Sequence, residues 1–208
     1  MSDLPQCAMP TSVQDPVIAV VSGPPGSGKS TLAHALAERV GIPAIIRDEI
    51  KQGMVAATTP PRDGDYDDLN IAVLRTFFDV LTTLARGGVS AVAEAAFQDK
   101  LWRPNLERVA EFAEIRIIHC TAPQPVLHDR IAHRAEHDTH RRAHNDAGLL
   151  AEIAAGTRTA DSFVPVSMDV AQLSVDTTDG YQPGLDAIAQ FVTTPGRTRP
   201  RPIGEQLR

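Results

Sequence analysis

The stretch that decides the fold is VIAVVSGPPGSGKS, residues 17–30, in which an apolar run of strand length leads into a glycine-rich segment. This segment matches the pattern GxxxxGK(S/T) at every fixed position: Gly23-Pro24-Pro25-Gly26-Ser27-Gly28-Lys29-Ser30. Glycines let backbone N–H groups turn toward phosphate oxygens, and the start of a helix adds partial positive charge there. We expect Lys29 to reach the β- and γ-phosphates of ATP, Ser30 to ligate Mg²⁺, and Thr31 to touch the α-phosphate.

Outward from this segment, short apolar runs alternate with stretches of helical period. Strands are predicted at 17–22, 43–46, 89–95, 115–120 and 170–175. Helices are predicted at 30–40, 67–86, 101–113, from 125 to at least 135, and 185–191. Strands separated by helices indicate an α/β fold, with five parallel strands in one sheet and helices on both faces.

Length and composition fit one domain. The chain has 208 residues, and we predict a domain over 16–192, an N-terminal tail over 1–15 and a flexible basic tail over 193–208. Residues from about 134 to 160 are polar, basic and rich in histidine, and they are interpreted as a mobile basic lid. The net charge of −6 argues against a dedicated nucleic-acid binder. Neither a secretory signal, a disulfide framework nor a membrane span is expected, which favours a cytoplasmic protein.

Carboxylates are predicted at the carboxyl ends of two strands. Asp48 follows the second strand, where it would face the phosphate loop and accept a proton from a hydroxyl acceptor. The alternative is that Asp48 only caps the next helix. Lys51 is placed to hold an anionic part of the acceptor. Glu94 ends the third strand, where it is a candidate ligand of Mg²⁺ or of the acceptor, or a solvent-facing acid.

Several further side chains are candidates with a plain structural alternative. Arg103 is a candidate substrate clamp beside Trp102, although a surface arginine beside a packed tryptophan is equally consistent. Arg130 and Arg134 share a helix face and are candidates for stabilising charge over the γ-phosphate, or they belong to a solvated helix.

The predicted lid and the last strand carry two more candidate sites. A histidine stripe invites a metal site, but a solvated lid face is the better interpretation: His133, His137, His140 and His144. After the last strand, Asp176 and Thr177 are placed to line a nucleotide site, although Asp176 can equally serve as a turn former.

With these residues assembled, the chain resembles the AAA_33-type P-loop kinases. This group is similar to the kinase domains of polynucleotide 5′-hydroxyl kinases, zeta-toxin-like kinases and small antibiotic phosphotransferases. The resemblance covers about residues 17 to 191 and is carried by five motifs: GPPGSGKST at 23–31, RDEIK at 47–51, VAEAAF at 92–97, the pair Arg130 and Arg134, and VDTTDGY at 175–181.

The resemblance implies a P-loop NTPase fold with a mobile lid, and ATP with Mg²⁺ as the phosphate donor. It also implies that an Asp at the position of Asp48 acts as general base. Polynucleotide kinases of this group carry an Arg where Lys51 stands, and Lys keeps the charge but loses the bidentate fork. Relatives often carry Asp where Glu94 stands.

Three functions therefore compete. The first is an ATP-dependent phosphotransferase acting on a hydroxyl of a small molecule, as a monomer or homodimer. The second is a polynucleotide 5′-hydroxyl kinase, favoured by the basic lid and tail. The third is a nucleotide-gated regulatory or toxin-like binding protein without significant turnover.

Overall fold

The computed structural model describes residues 12–57, 66–96, 98–137, 163–196 and 198–200. The strands are β1 Ser12–Gln14, β2 Val17–Ser22, β3 Ala44–Ile46, β4 Ala91–Glu94, β5 Glu114–Thr121, β6 Ala171–Asp176 and β7 Thr198–Pro200. The helices are α1 Lys29–Val40, α2 Arg47–Ala57, α3 Tyr66–Arg86, α4 Asp99–Val109, α5 Gln124–His137 and α6 Leu185–Thr193.

A five-stranded sheet in the order β3-β4-β2-β5-β6 forms the centre of the molecule. All four neighbouring pairs are parallel, which confirms the predicted sheet. Every residue of the central strand β2 is buried, and this burial accounts for its unbroken apolar sequence. Because all five strands run the same way, their carboxyl ends meet at one edge, where the loop after β2 also lies.

Helices cover both faces of the sheet, as predicted. Alternate residues of β2 point to opposite faces. Ile18 and Val20 pack with buried side chains of α3 and α4, whereas Ala19 and Val21 pack with those of α1 and α6. The two cores hold the sheet in place as a rigid support for its carboxyl edge. None of the helices that the structure describes is long and apolar enough to cross a membrane.

Element boundaries differ from prediction at several points. Helix α4 lies earlier than the predicted 101–113, and the polypeptide then turns directly into β5 at Glu114. Pro104, expected in the first turn, lies inside the helix. Helix α2 begins at Arg47, so Asp48 lies within its first turn and is not the N-cap residue of the alternative interpretation. An acid in that turn still favours the positive end of the helix.

The predicted terminal tails are partly structured. β1 and β7 form a two-stranded antiparallel sheet in which Ser12 pairs with Pro200. Regular structure therefore reaches into both segments predicted as tails. Residues 1–11 and 201–208 lie outside the described residues, as does residue 197. The predicted lid, about 134–160, lies outside them from residue 138 onward.

Candidate active site

The glycine-rich segment 23–28 forms a tight loop between β2 and α1. Gly26 and Gly28 have φ angles of 83° and 71°, which non-glycine residues rarely adopt. A Cβ atom on Gly26 would lie 2.5 Å from the carbonyl oxygen of Leu127 in α5, so the loop packs directly against that helix. Inside the loop, the N–H of Ser27 donates to the carbonyl of Pro24 at 3.2 Å. The loop thus has the compact shape that its sequence predicts.

The carboxylate of Glu94 lies beside this loop. β4 pairs with β2 so that Glu94 is opposite Val21, one residue before the end of β2. Its side chain is 1% exposed and accepts a hydrogen bond from the Ser30 hydroxyl at 3.1 Å. The Lys29 ammonium is 3.7 Å from the other carboxylate oxygen. The structure therefore brings three predicted residues together, and it rules out the alternative in which Glu94 faces solvent.

Helix α2 starts at the next strand end. β3 pairs with β4 so that Ile46 is opposite Glu94, which places Asp48 two residues beyond the sheet partner of that carboxylate. Arg47 donates to the Asp48 carboxylate at 3.3 Å and to the Asn70 side-chain oxygen at 3.2 Å. Asp48 therefore lies at the predicted edge, beside Arg47 of the RDEIK motif, for which no separate role was predicted.

Lys51 lies one turn after Arg47 on α2. Its pKa is lowered, first by partial burial and second by the positive charge of Arg47, while Asp48 acts in the opposite sense. Two cations, Arg47 and Lys51, are therefore close to each other beside the Asp48 carboxylate. An anion bound at this point would offset the repulsion between the two cations.

Trp102 and Arg103 have the environments of a packed tryptophan and a surface arginine, which is the structural alternative for this pair. Trp102 is 5% exposed and packs against the rings of Phe77 and Phe78, at centroid distances of 5.9 and 5.5 Å. The guanidinium of Arg47 is 6.0 Å from the centroid of the Trp102 ring. Arg103 is half-exposed and pairs with Asp99 at 3.4 Å, one turn earlier on α4. Its predicted contact with substrate stays a prediction.

Arg130 donates hydrogen bonds to backbone carbonyls of two segments that lie beside a cavity. One guanidinium nitrogen donates to the carbonyl of Gly26 at 3.3 Å, and the other donates to the carbonyls of Thr177 and Thr178 at 2.6 and 3.1 Å. The arginine thus ties α5 to the phosphate loop and to the segment after β6. Its predicted role in stabilising charge over the γ-phosphate stays a prediction.

A cavity of about 630 Å³ opens between the phosphate loop, α5 and the segment after β6. This volume is within the range of small-molecule sites. Six of its lining residues were predicted as catalytic or nucleotide contacts: Gly26, Gly28, Thr31, Arg130, Arg134 and Thr177. Four were predicted as neither: Asp129, His133, Gly180 and Tyr181. The spacing of His133 from Arg130 on one helix face is the signal that could have found it.

Asp176 shapes the turn next to this cavity. Its carboxylate accepts a hydrogen bond from the N–H of Thr178 at 2.7 Å. The side-chain and backbone hydrogen bonds from Thr178 lower the pKa of Asp176. This arrangement is the turn-forming alternative. Thr177, in contrast, is 4% exposed and lines the cavity.

Neither a reactive thiol nor a histidine metal cluster is found among the described residues. Burial raises the pKa of Cys120 to about 12, so its thiol stays protonated beside the phosphate loop. Within the part of the chain that the structure describes, no group of three or more His, Cys, Asp or Glu side chains could hold a metal ion. His140 and His144 of the predicted stripe lie outside that part.

The parallel sheet and the glycine-rich loop, which closes on a buried carboxylate of the neighbouring strand, define a kinase-like P-loop fold. The AAA_33 family model, an AAA domain, matches residues 18–155. The chain therefore belongs to the AAA_33 family.

Known proteins are similar to this chain in sequence or in fold. An uncharacterized protein of Mycobacterium tuberculosis is 31% identical over 143 residues, which cover 64% of this chain and only 29% of the length of that relative. The structure of a candidate kinase from Chloroflexus aurantiacus is 23% identical, with a TM-score of 0.65 over 86% of this chain and 94% of that one. A gluconokinase from Sinorhizobium meliloti is 21% identical, with a TM-score of 0.52 over 86% and 91%.

Proposed function

We propose that this chain is an ATP-dependent phosphotransferase that moves the γ-phosphate to a hydroxyl of a small-molecule acceptor. The observation that carries the proposal is the position of Glu94. Its buried carboxylate contacts Lys29 and Ser30 of the phosphate loop, and the strand end beside it leads into Asp48. This arrangement supports a phosphate-donor side and an acceptor side at the same edge of the sheet.

The residues present fit a magnesium ion. Mg²⁺ prefers oxygen ligands and is usually held by one or two protein groups together with phosphates and water. The Ser30 hydroxyl and the Glu94 carboxylate, 3.1 Å apart, are such a pair of oxygen donors. When bound, the ion would neutralise charge on the phosphates. Lys29 would hold the phosphate oxygens in the same place.

Asp48 is the proposed base. Phosphoryl transfer needs a group that orients the hydroxyl and accepts its proton. Arg47 holds the Asp48 carboxylate at 3.3 Å and is itself fixed by Asn70 of α3. A contact of 2.7 Å between His34 of α1 and Glu49 of α2 joins the two helices that flank the site. The base therefore has a defined position relative to the phosphate loop.

The acceptor side favours a small molecule that carries a negative group. Arg47 and Lys51 lie one turn apart on α2, and the pKa of Lys51 is lowered first by partial burial and second by the positive charge of Arg47. A carboxylate or phosphate on the acceptor would relieve that repulsion. Arg103 is a further candidate contact. One of the proteins that share the fold, a gluconokinase, is consistent with such an acceptor.

The test is an ATP-consumption screen with Mg²⁺ against pooled acceptors: hydroxy acids, sugars, nucleosides, aminoglycosides and 5′-hydroxyl oligonucleotides. The Asp48→Asn variant should lose transfer while it still binds ATP, because only the proton acceptor changes. The exposed acid Asp79 on α3 provides the matched control, since Asp79→Asn should keep wild-type turnover.

Each other outcome contradicts part of the proposal. Full activity in Asp48→Asn would remove the proposed base. Turnover with oligonucleotides alone would replace the small-molecule acceptor with a nucleic acid. Tight ATP binding without turnover on any acceptor would favour a nucleotide-gated regulator.

A further inference from the structure

The hydroxyl of Thr177 is buried where three segments of the chain meet. Thr177 follows β6 directly, and its N–H donates to the carbonyl of Thr121 at the end of β5, at 2.9 Å. Its hydroxyl oxygen is 2.9 Å from the carbonyl oxygen of Ser27 in the phosphate loop and 3.1 Å from that of Thr121. A single buried hydroxyl thus connects the end of β5 at Thr121 to Ser27 in the phosphate loop.

Arg130 completes this connection from the other side. It donates to the Thr177 hydroxyl oxygen at 3.3 Å, and the same nitrogen donates to the carbonyl of Gly26 at 3.3 Å. Because a guanidinium has no acceptor, the hydroxyl accepts from Arg130 and is left with its own hydrogen to donate. The shorter of its two contacts is the one to Ser27. Carbonyls of two consecutive loop residues therefore receive donors from outside the loop.

The direction of the Ser27 carbonyl decides the direction of the next N–H group. In a planar trans peptide, the C=O of one residue and the N–H of the following residue point to opposite sides. A Ser27 carbonyl held toward Thr177 therefore turns the N–H of Gly28 away from Thr177. Backbone N–H groups aimed in a common direction are what a phosphate loop uses to bind an anion.

We infer that Thr177 is a positioning residue of the phosphate loop. Its hydroxyl, with Arg130 behind it, holds the Ser27–Gly28 peptide in the orientation that presents an N–H to the β-phosphate of a bound nucleotide. The inference rests on the proposed nucleotide binding. It differs from a purely structural role, because loss of the hydroxyl should weaken the binding of a diphosphate more than the binding of a monophosphate.

The experiment measures, by calorimetry, the affinity for ADP and for AMP of the wild type, Thr177→Val and Thr177→Ser. Valine keeps the shape but loses the hydroxyl, so the Kd for ADP should rise about tenfold. The Kd for AMP should change by less than about twofold, because AMP has no β-phosphate. Serine keeps the hydroxyl and should restore ADP affinity to within about twofold of wild type.

The neighbouring Thr178 is the matched control. Its side chain hydrogen-bonds to Asp176 within the same turn and makes no hydrogen bond to the phosphate loop among the described residues, so Thr178→Val should leave ADP affinity unchanged. Should Thr177→Val fail to fold, Arg130→Lys tests the same device. It loses the planar fork and should also weaken ADP binding more than AMP binding.

Two results overturn the inference and one overturns its basis. ADP affinity of wild-type strength in a folded Thr177→Val would show that the hydroxyl does not position the loop. Equal losses for ADP and AMP would indicate general loss of structure. A wild-type chain that binds no nucleotide would instead overturn the proposed function, on which the inference depends.

Discussion

Glu94 is a charged side chain in a strand whose other residues are small and apolar. Burying an unpaired carboxylate is costly, so its retention needs compensation. Here the compensation comes from the Ser30 hydroxyl at 3.1 Å and the Lys29 ammonium at 3.7 Å. A residue that only stabilised the strand would more simply be apolar. We therefore expect the charge of Glu94 to matter for ligand binding more than for folding.

Replacement of Glu94 by Gln tests this expectation. The amide keeps the shape but removes the charge that would attract a cation, so Mg²⁺ should no longer strengthen ADP binding. In EDTA, ADP should bind at least as tightly as to wild type, because one negative charge near the phosphates is gone. Calorimetry with and without Mg²⁺ measures both effects.

The exposed acid Glu38 on α1 provides the control for that substitution. Glu38→Gln should retain the full effect of Mg²⁺, since it changes the net charge without changing the site. An unaltered effect of Mg²⁺ in Glu94→Gln would exclude this carboxylate as a metal ligand.

At the scale of elements, two glycines have opposite surroundings. Substitution of the first tests close packing in the loop, and substitution of the second tests helix propensity. A Cβ atom on Gly23 would lie 2.5 Å from the Ser27 hydroxyl oxygen and 2.6 Å from the Cys120 carbonyl oxygen. A Cβ atom on Gly53, in the exposed part of α2, would meet nothing within 4 Å. Only the first glycine is required by its neighbours.

Gly23→Ala should therefore destabilise the fold by at least about 1–3 kcal/mol and weaken nucleotide binding, because the loop must move. Gly53→Ala should instead stabilise the fold by about 0.5–1 kcal/mol, the usual gain of alanine over glycine inside a helix. Urea unfolding of both variants provides the comparison. A stabilised Gly23→Ala would mean that the loop is less tightly packed than the structure describes.

Helix α6 is anchored by Arg116, a buried residue of β5. Its guanidinium donates to the carbonyl oxygens of Phe191, Val192 and Thr194 at 2.6, 3.0 and 2.7 Å. It also bonds to the Glu114 carboxylate at 2.8 Å. The end of α6, whose last carbonyls have no partner within the helix, is thereby joined to the sheet.

Loss of this anchor should be costly. Arg116→Met leaves buried carbonyls and a carboxylate without their donor, and the free energy of unfolding should fall by about 3 kcal/mol. Arg39 on α1 also pairs with α6, through Asp186, but both partners are well exposed. Arg39→Met should cost less than about 1 kcal/mol. Similar losses in the two variants, measured by urea unfolding, would contradict the anchoring role of Arg116.

At the scale of the whole molecule, local chemistry could be predicted from the sequence better than contacts between distant segments. The strand, loop and helix start at residues 17–30 are contiguous, so one stretch of sequence contains the whole pattern. Glu94 is 64 positions from Ser30 in the sequence. The apolar run before Glu94 nevertheless predicted a strand that ends at the carboxyl edge of a parallel sheet. The pairing of β4 with β2 puts Glu94 at that edge.

The partners of arginines were not predictable in this way. Arg130 bonds to backbone carbonyls that are 104 and 47 positions away, and a carbonyl has no residue-specific signature. The partners of Arg116 could not be predicted for the same reason, since they too are mainly backbone carbonyls. A sequence pattern therefore predicts that an arginine is well placed on a helix face or in a strand, but not which backbone it will hold.

The site is assembled from the loop after β2, the end of β4, the start of α2, helix α5 and the segment after β6. A ligand bound at this candidate site would contact segments that separate on unfolding, so it should stabilise the entire domain. At 100 times its Kd, ADP with Mg²⁺ should add about 2.7 kcal/mol to the free energy of unfolding. For a domain of this size, that gain corresponds to a rise in Tm of about 5–10 °C.

Lys29→Ala should abolish most of that rise, because the ammonium is the only positive side chain within the phosphate-loop segment 23–30. Lys100→Ala removes an exposed lysine from α4 and should keep the full rise. Thermal scans across a range of ADP concentrations measure both. A rise that persists undiminished in Lys29→Ala would mean that the nucleotide binds away from the loop, and the catalytic assignments around Glu94 and Asp48 would fall with it.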